Sequence, residues 1–133
     1  MANPNIVQVT TINGKSMGYA ITTANGAMIP PELGVTGVPT DEVYKINSIT
    51  VANVTTGTTA WVSVWRSTNG IAGPYGSSNA NGYLAYQIDV PPKTSISILG
   101  KSTSIYLNEG HQIASVSSAS SVLQFSANYE VIS

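Results

Sequence analysis

From Leu123 to Val131 the chain alternates without a break. Leu123, Phe125, Ala127, Tyr129 and Val131 are apolar, and Gln124, Ser126, Asn128 and Glu130 between them are polar. Only an extended backbone turns successive side chains to opposite faces, so this segment is a strand with one core face and one wet face. No apolar period of 3.6 residues persists for three turns anywhere, and Lys, Glu and Arg are too few to clothe an exposed helix. The chain has to be built from strands. In "YLAYQIDV" the same period of two puts Leu84, Tyr86, Ile88 and Val90 on one apolar face, and Pro91 and Pro92 end the strand by removing two backbone donors. "YKINSITVANV" and "TAWVSVWRS" carry β-branched or aromatic residues on both faces, as strands covered from two sides do. Trp61 and Trp65 share a face with Ser63 between them. They serve either as core or as an aromatic platform for a sugar or a partner.

Asn-Gly pairs at 13–14, 25–26, 69–70 and 81–82 supply positive φ cheaply and favour hairpins. With roughly eight strands, the economical architecture is a single antiparallel β-sandwich over residues 1–133, jelly-roll-like or immunoglobulin-like, with a closed barrel as the second choice. Two long loops interrupt it, Gly26 to Glu42 and Ser67 to Gly82. Loops of this length are usually functional or disordered. The second holds Tyr75 among Gly, Ser and Asn, a composition shared by adaptable binding loops.

Composition narrows the function. Asp, Glu, Lys and Arg make up 8% of residues, where about a quarter is usual. The five cations are scattered from Lys15 to Lys101, so no phosphate-binding cluster exists and nucleic acid is not an expected partner. A surface so poor in charge does little to repel neighbours and suits a protein covered in an assembly. Cysteine is absent, which removes disulfides, thiolate chemistry and zinc-ribbon spacing. No signal peptide or apolar span is present in "MANPNIVQVT" or beyond it, so a soluble, non-membrane protein that is not exported through the Sec route is expected.

Chemistry has few candidates. The single histidine, His111, stands in "IYLNEGHQIASV" two residues from Glu109, with Gly110 between them marking a turn. No G-x-S-x-G elbow, H-E-x-x-H or phosphate-cradling motif occurs, and nothing in the spacing of Asp41, Glu42, Asp89 and Glu109 pairs two carboxylates for glycoside hydrolysis. The expectation is a non-enzymatic protein without cofactor or metal. "NEGH" then reads as a wet corner between strands "SIYL" and "QIASV", with Gly110 taking the unusual φ. The sequon at Asn53-Val54-Thr55 reads as an accident.

"ITVANVTTGTTAWVSVWRS", the "VPP" turn, "IYLNEGH", the final strand ending "NYEVIS" and the opening "MANPNIVQVTTINGKS" together resemble small all-β virion structural proteins of tailed phages, especially of marine and cyanobacterial hosts. The resemblance covers most of the chain, apart from residues 67–82. Asn108 and His111 stand where the family pattern has acidic residues. The resemblance implies a sandwich subunit of the capsid decoration type, which binds the assembled shell as a symmetric homo-oligomer such as a trimer and stabilises it. The major capsid protein and further copies of the chain are then its partners and the virion its location. Residues 1–12 would form an N-terminal arm whose Asn5, Val7 and Val9 add to a sheet edge. Tyr75 and Trp65 complete the candidate interface. The alternatives are a neck, tail or fibre component, and a carbohydrate-binding receptor-recognition module.

Overall fold

The structure, a computed structural model, describes residues 11–31, 37–67 and 82–133. Nine strands fill it: β1 (Ile12–Ala20), β2 (Gly26–Ile29), β3 (Val43–Asn53), β4 (Ala60–Ser67), β5 (Gly82–Val90), β6 (Ser95–Leu99), β7 (Ile105–Leu107), β8 (Gln112–Ser117) and β9 (Leu123–Ile132). One sheet runs β1-β9-β3-β6 and the other β2-β8-β4-β5, with every pairing antiparallel. β7 lies beyond β6 along the same edge of β3, after a 3-10 turn at Lys101–Thr103, so the two share one strand position. Counted that way, the chain is a long hairpin in which β1 meets β9, β2 meets β8, β3 meets β6 and β7, and β4 meets β5. Rolled up, that hairpin is the jelly-roll order of a β-sandwich.

The alternation of β9 appears as expected. Leu123, Phe125, Ala127, Tyr129 and Val131 are buried between the sheets, beside Ile46, Ile49 and Val51 of β3 and in one core with Val62 and Val64 of β4 and Ile113 of β8 from the other sheet. Tyr44 and Tyr129 stack in this layer with ring centroids 5.3 Å apart. β5 departs from expectation. Leu84 and Val90 join the core, but Tyr86 and Ile88 are 46% and 42% exposed. The pairing with β4 runs Val62 to Ile88, Val64 to Ala85 and Trp65 to Tyr83, so β5 carries extra residues at two bulges. The inserted residues take Tyr86 off the face of Val90, which an unbroken period of two cannot anticipate, whereas Ile88 keeps the core-side register opposite Val62 and is exposed on the edge strand.

The Asn-Gly pairs also behave differently from expectation. Asn13 and Gly14 lie inside β1, opposite Val131 and Glu130. A turn dipeptide makes a hairpin only when its flanks pair with each other, and here β9 holds both flanks extended. Asn25-Gly26 leads into β2 from β1, which belongs to the other sheet. Gly82 opens β5, whereas Asn81 and the pair at 69–70 lie outside the described residues. Pro91 comes directly after β5, as read from the sequence.

Asn53 ties one end of the sandwich together. It is 3% exposed, its Nδ2 donates to the carbonyls of Thr58 (2.7 Å) and Val90 (2.8 Å), and its Oδ1 accepts from the Thr55 amide (2.9 Å) and hydroxyl (2.7 Å). A buried amide with its hydrogen bonds filled holds the β3–β4 turn against the end of β5. The same bonds keep this sequon asparagine from acting as a glycan acceptor in the folded protein. Asn53→Ala removes the side-chain donor to the Val90 carbonyl and the acceptor of the Thr55 amide, while the Thr58 carbonyl keeps its bond from the Thr55 hydroxyl, and is expected to cost about 1–3 kcal/mol in urea unfolding, with the slope unchanged.

Candidate functional site

The corner holding His111 gathers Asn108, Glu109 and the histidine in four residues. β7 and β8 belong to different sheets, so Asn108 to His111 is a crossing between layers rather than a hairpin. Gly110 adopts φ of 77°, a left-handed conformation that costs glycine little. The segment after residue 37 binds the corner along its length: the Gly110 amide donates to the Val38 carbonyl (2.9 Å), the Val38 amide to the His111 carbonyl (2.9 Å), and the Asp41 amide to Glu109 Oε1 (2.9 Å). Glu109 is therefore a loop clamp. A Cβ on Gly37 would stand 2.6 Å from the Gly110 carbonyl oxygen. Backbone lies on both sides of that contact, so Gly37→Ala must open the corner, and we expect a loss of about 1–3 kcal/mol in chemical unfolding.

His111 is half-buried, and its Nδ1 is buried with no hydrogen-bond partner among the described residues. Burial, with a smaller contribution from the Arg66 guanidinium, holds its pKa below the ordinary 6.5. A ring in that setting resists the second proton, and no described residue orients it at Nδ1. Because the folded pKa is depressed, the unfolded chain binds the proton more readily, and stability falls as pH drops below about 6.5 through the folded value. Urea midpoints measured from pH 7.5 to 5 should show this fall in the native protein and a shallower one in His111→Asn. Among the described residues no group of three His, Cys, Asp or Glu gathers to hold a metal ion.

The second candidate lies on the outer face of the β2-β8-β4-β5 sheet. Val62 and Val64 point into the core, so Trp61, Ser63 and Trp65 point outward. Trp65 is nevertheless only 1% exposed. The β5 bulges bring Tyr83 edge-on to it at 5.9 Å, and Tyr86 edge-on to Tyr83 at 4.8 Å. Together with Trp61, these rings line a groove of about 300 Å³. Gln87 at its rim has φ of 47°, and its amide N–H is held by Ser63 Oγ at 2.9 Å. Neither reading of the tryptophans was complete: Trp65 is buried like a core residue but belongs to an aromatic outer face.

The third candidate is β1. It lies at the edge of its sheet and pairs in unbroken register with β9, from Ile12 opposite Ile132 to Ala20 opposite Gln124. Eight of its nine residues are exposed and only Met17 is partly covered, with Ile12 and Tyr19 at 56% and 50%. Thr11 and Ser133 exchange both backbone hydrogen bonds, so residues 11 and 12 of the expected arm already belong to the sheet. Asn5, Val7, Val9 and Tyr75 lie outside the described residues. Beyond residue 12, the end of the expected arm, the β1 surface with Met17 and Tyr19 was not singled out from the sequence. Tyr83 and Tyr86 were missed because bulges leave no mark on the apolar pattern.

No protein-family model matches the sequence, and no curated protein matches it. Two solved structures match it at low similarity. One is of Bacillus endospore appendages, described as a family of disulfide-linked pili, at TM-score 0.44 and 8% identity over 99% of this chain and 95% of that one. The other, of infectious bursal disease virus strain Gx, gives TM-score 0.41 and 7% identity over 93% of this chain and 33% of that one.

Proposed function

We propose that the chain is a non-enzymatic structural subunit of a phage particle, a decoration or cement protein that binds the assembled shell as a symmetric oligomer. The observation that carries the proposal is β1. A nine-residue strand that, among the described residues, is exposed on nearly all of both faces and paired along one edge adds backbone hydrogen bonds but little burial to its own sandwich. Natural edge strands are blunted by proline, charge or a bulge. β1 has no proline, no register shift and one charged residue, Lys15. An edge of this kind suits pairing with another chain, a neighbouring copy or the major capsid protein.

The scarcity of charge and the sequence resemblance to small phage virion proteins support the same reading. A subunit that binds only the assembled shell stabilises it by mass action and needs no chemistry of its own. Attachment through β1 also explains why so polar a strand is kept long and regular.

The ladder shows how to test it. Because Thr11 and Ser133 form a doubly bonded pair, alternation along β1 turns the N–H groups of Ile12, Gly14, Ser16, Gly18 and Ala20 away from β9. Ser16→Pro removes one outward donor and leaves the β9 ladder intact. The variant should fold with stability within about 1 kcal/mol of the native chain but lose self-association and particle binding. Native binding by this variant would overturn the role of β1. Quantitative mass spectrometry of purified virions, with the major capsid protein as internal standard, is expected to give a copy number of the same order as the shell subunit. A single ring's worth of copies would move the chain to the neck or tail, and absence from particles would overturn the proposal.

A further inference from the structure

The groove on the outer face of the β2-β8-β4-β5 sheet is not needed by a purely structural subunit. We infer that it is a binding site for a neutral oligosaccharide, with the rings of Trp61 and Tyr86 as stacking surfaces and the Gln87 side-chain amide as the polar contact. The inference does not depend on where the chain sits on a particle.

Four observations carry it. First, the rings of Trp61, Trp65, Tyr83 and Tyr86 converge on one outward face, two of them re-aimed there by bulges in β5. Bulges are common beside functional sites because they redirect side chains without breaking the sheet. Second, Gln87 holds a left-handed backbone conformation that favours glycine or asparagine, in the middle of a strand. Ser63, itself 3% exposed, anchors that conformation through its hydroxyl. Residues kept in such conformations cluster at ligand clamps. Here the effect is to hold an exposed side-chain amide, with no hydrogen bond of its own to the described residues, at the rim of an aromatic groove.

Third, no charged side chain among the described residues lines the groove. Asn25 and Ser63 supply its other polar side chains. An anionic or cationic ligand would find no counter-charge there, whereas a neutral sugar offers apolar C–H faces to the rings and hydroxyl pairs to an amide that both donates and accepts. A peptide strand would instead add along a sheet edge rather than lie across the ring-bearing outer face. Fourth, a volume of about 300 Å³ falls at the small end of ligand sites, the range for one or two sugar rings rather than a protein interface.

Both tryptophans of the chain line this groove, so intrinsic tryptophan emission reports on it alone. The test is a fluorescence titration of the full chain with cellohexaose, maltohexaose, laminarihexaose and chitohexaose, with a sulfated heparin hexasaccharide as the anionic comparison. A saturable emission change with at least one neutral glycan, at a Kd of about 1 mM or tighter, is expected. Gln87→Gly deletes the amide and relaxes the backbone at the same position, so it should melt no lower than the native chain while binding about tenfold more weakly or not at all. Tyr86→Ala should weaken binding similarly, and Tyr106→Ala, an exposed ring on the other sheet, should leave it unchanged. The inference is overturned by any of three results: no saturable change with all four neutral glycans, equal binding by native chain and Gln87→Gly, or preference for the sulfated probe.

Discussion

The pairing of β9 with β3 on one side and β1 on the other is the constraint on which the rest depends. β9 supplies five alternating core residues to the layer between the sheets and gives β3 a long partner. Once β9 returns from the end of the chain to lie between β1 and β3, the outermost strands of the hairpin are closed on each other, and the inner pairs have to nest inside them. β2 with β8 and β4 with β5 then form the second layer, and Val62, Val64 and Ile113 come down onto Phe125 and Tyr129. The crossings between layers are held by backbone hydrogen bonds at both ends, such as Ser117 to Thr22 and Val38 to His111.

That arrangement separates two surfaces with different chemistry. β1 is the edge of one sheet and β5 the edge of the other, and β5 lies against β6, beyond β3 from β1. An assembly contact along β1 therefore leaves the aromatic groove on β4 and β5 uncovered. The surfaces also differ in stiffness of definition. β1 offers a regular ladder edge with small side chains such as Gly14, Ser16 and Gly18, whereas the groove is shaped by bulges and by one backbone conformation held with a single hydroxyl.

The same physics sets how much was legible in the sequence. β9 was readable because its core face is continuous and its register unbroken over the β1 pairing, so period and burial coincide. The turn at Gly110 was readable because a glycine between polar residues has few other uses, and its φ of 77° bears that out. β5 was not, because its bulges carry no compositional mark: Tyr86 occupies an apolar slot in the pattern and an exposed place in the structure. Asn13-Gly14 misled for the opposite reason, since local turn propensity is worth less than a strand's worth of pairing to β9. Trp65 illustrates a further limit. Its burial could be foreseen from its type, but which layer buries it depends on a register shift between Val64 and Trp65 that only the folded chain reveals.

Charge scarcity finally links the two surfaces. With few ionic groups, the two proposed contacts, along β1 and in the groove, would both be neutral ones. Backbone pairing along β1 and stacking in the groove are both of that kind, and neither weakens with salt as phosphate recognition does. Phosphate recognition requires cations, catalysis requires titratable groups held beside one another, and the described surface concentrates neither. What it concentrates instead is an exposed ladder edge and a cluster of rings beside one amide. With Lys15 as its one charge, the β1 edge is weakly protected by composition, and the proposed assembly contact would be what covers it.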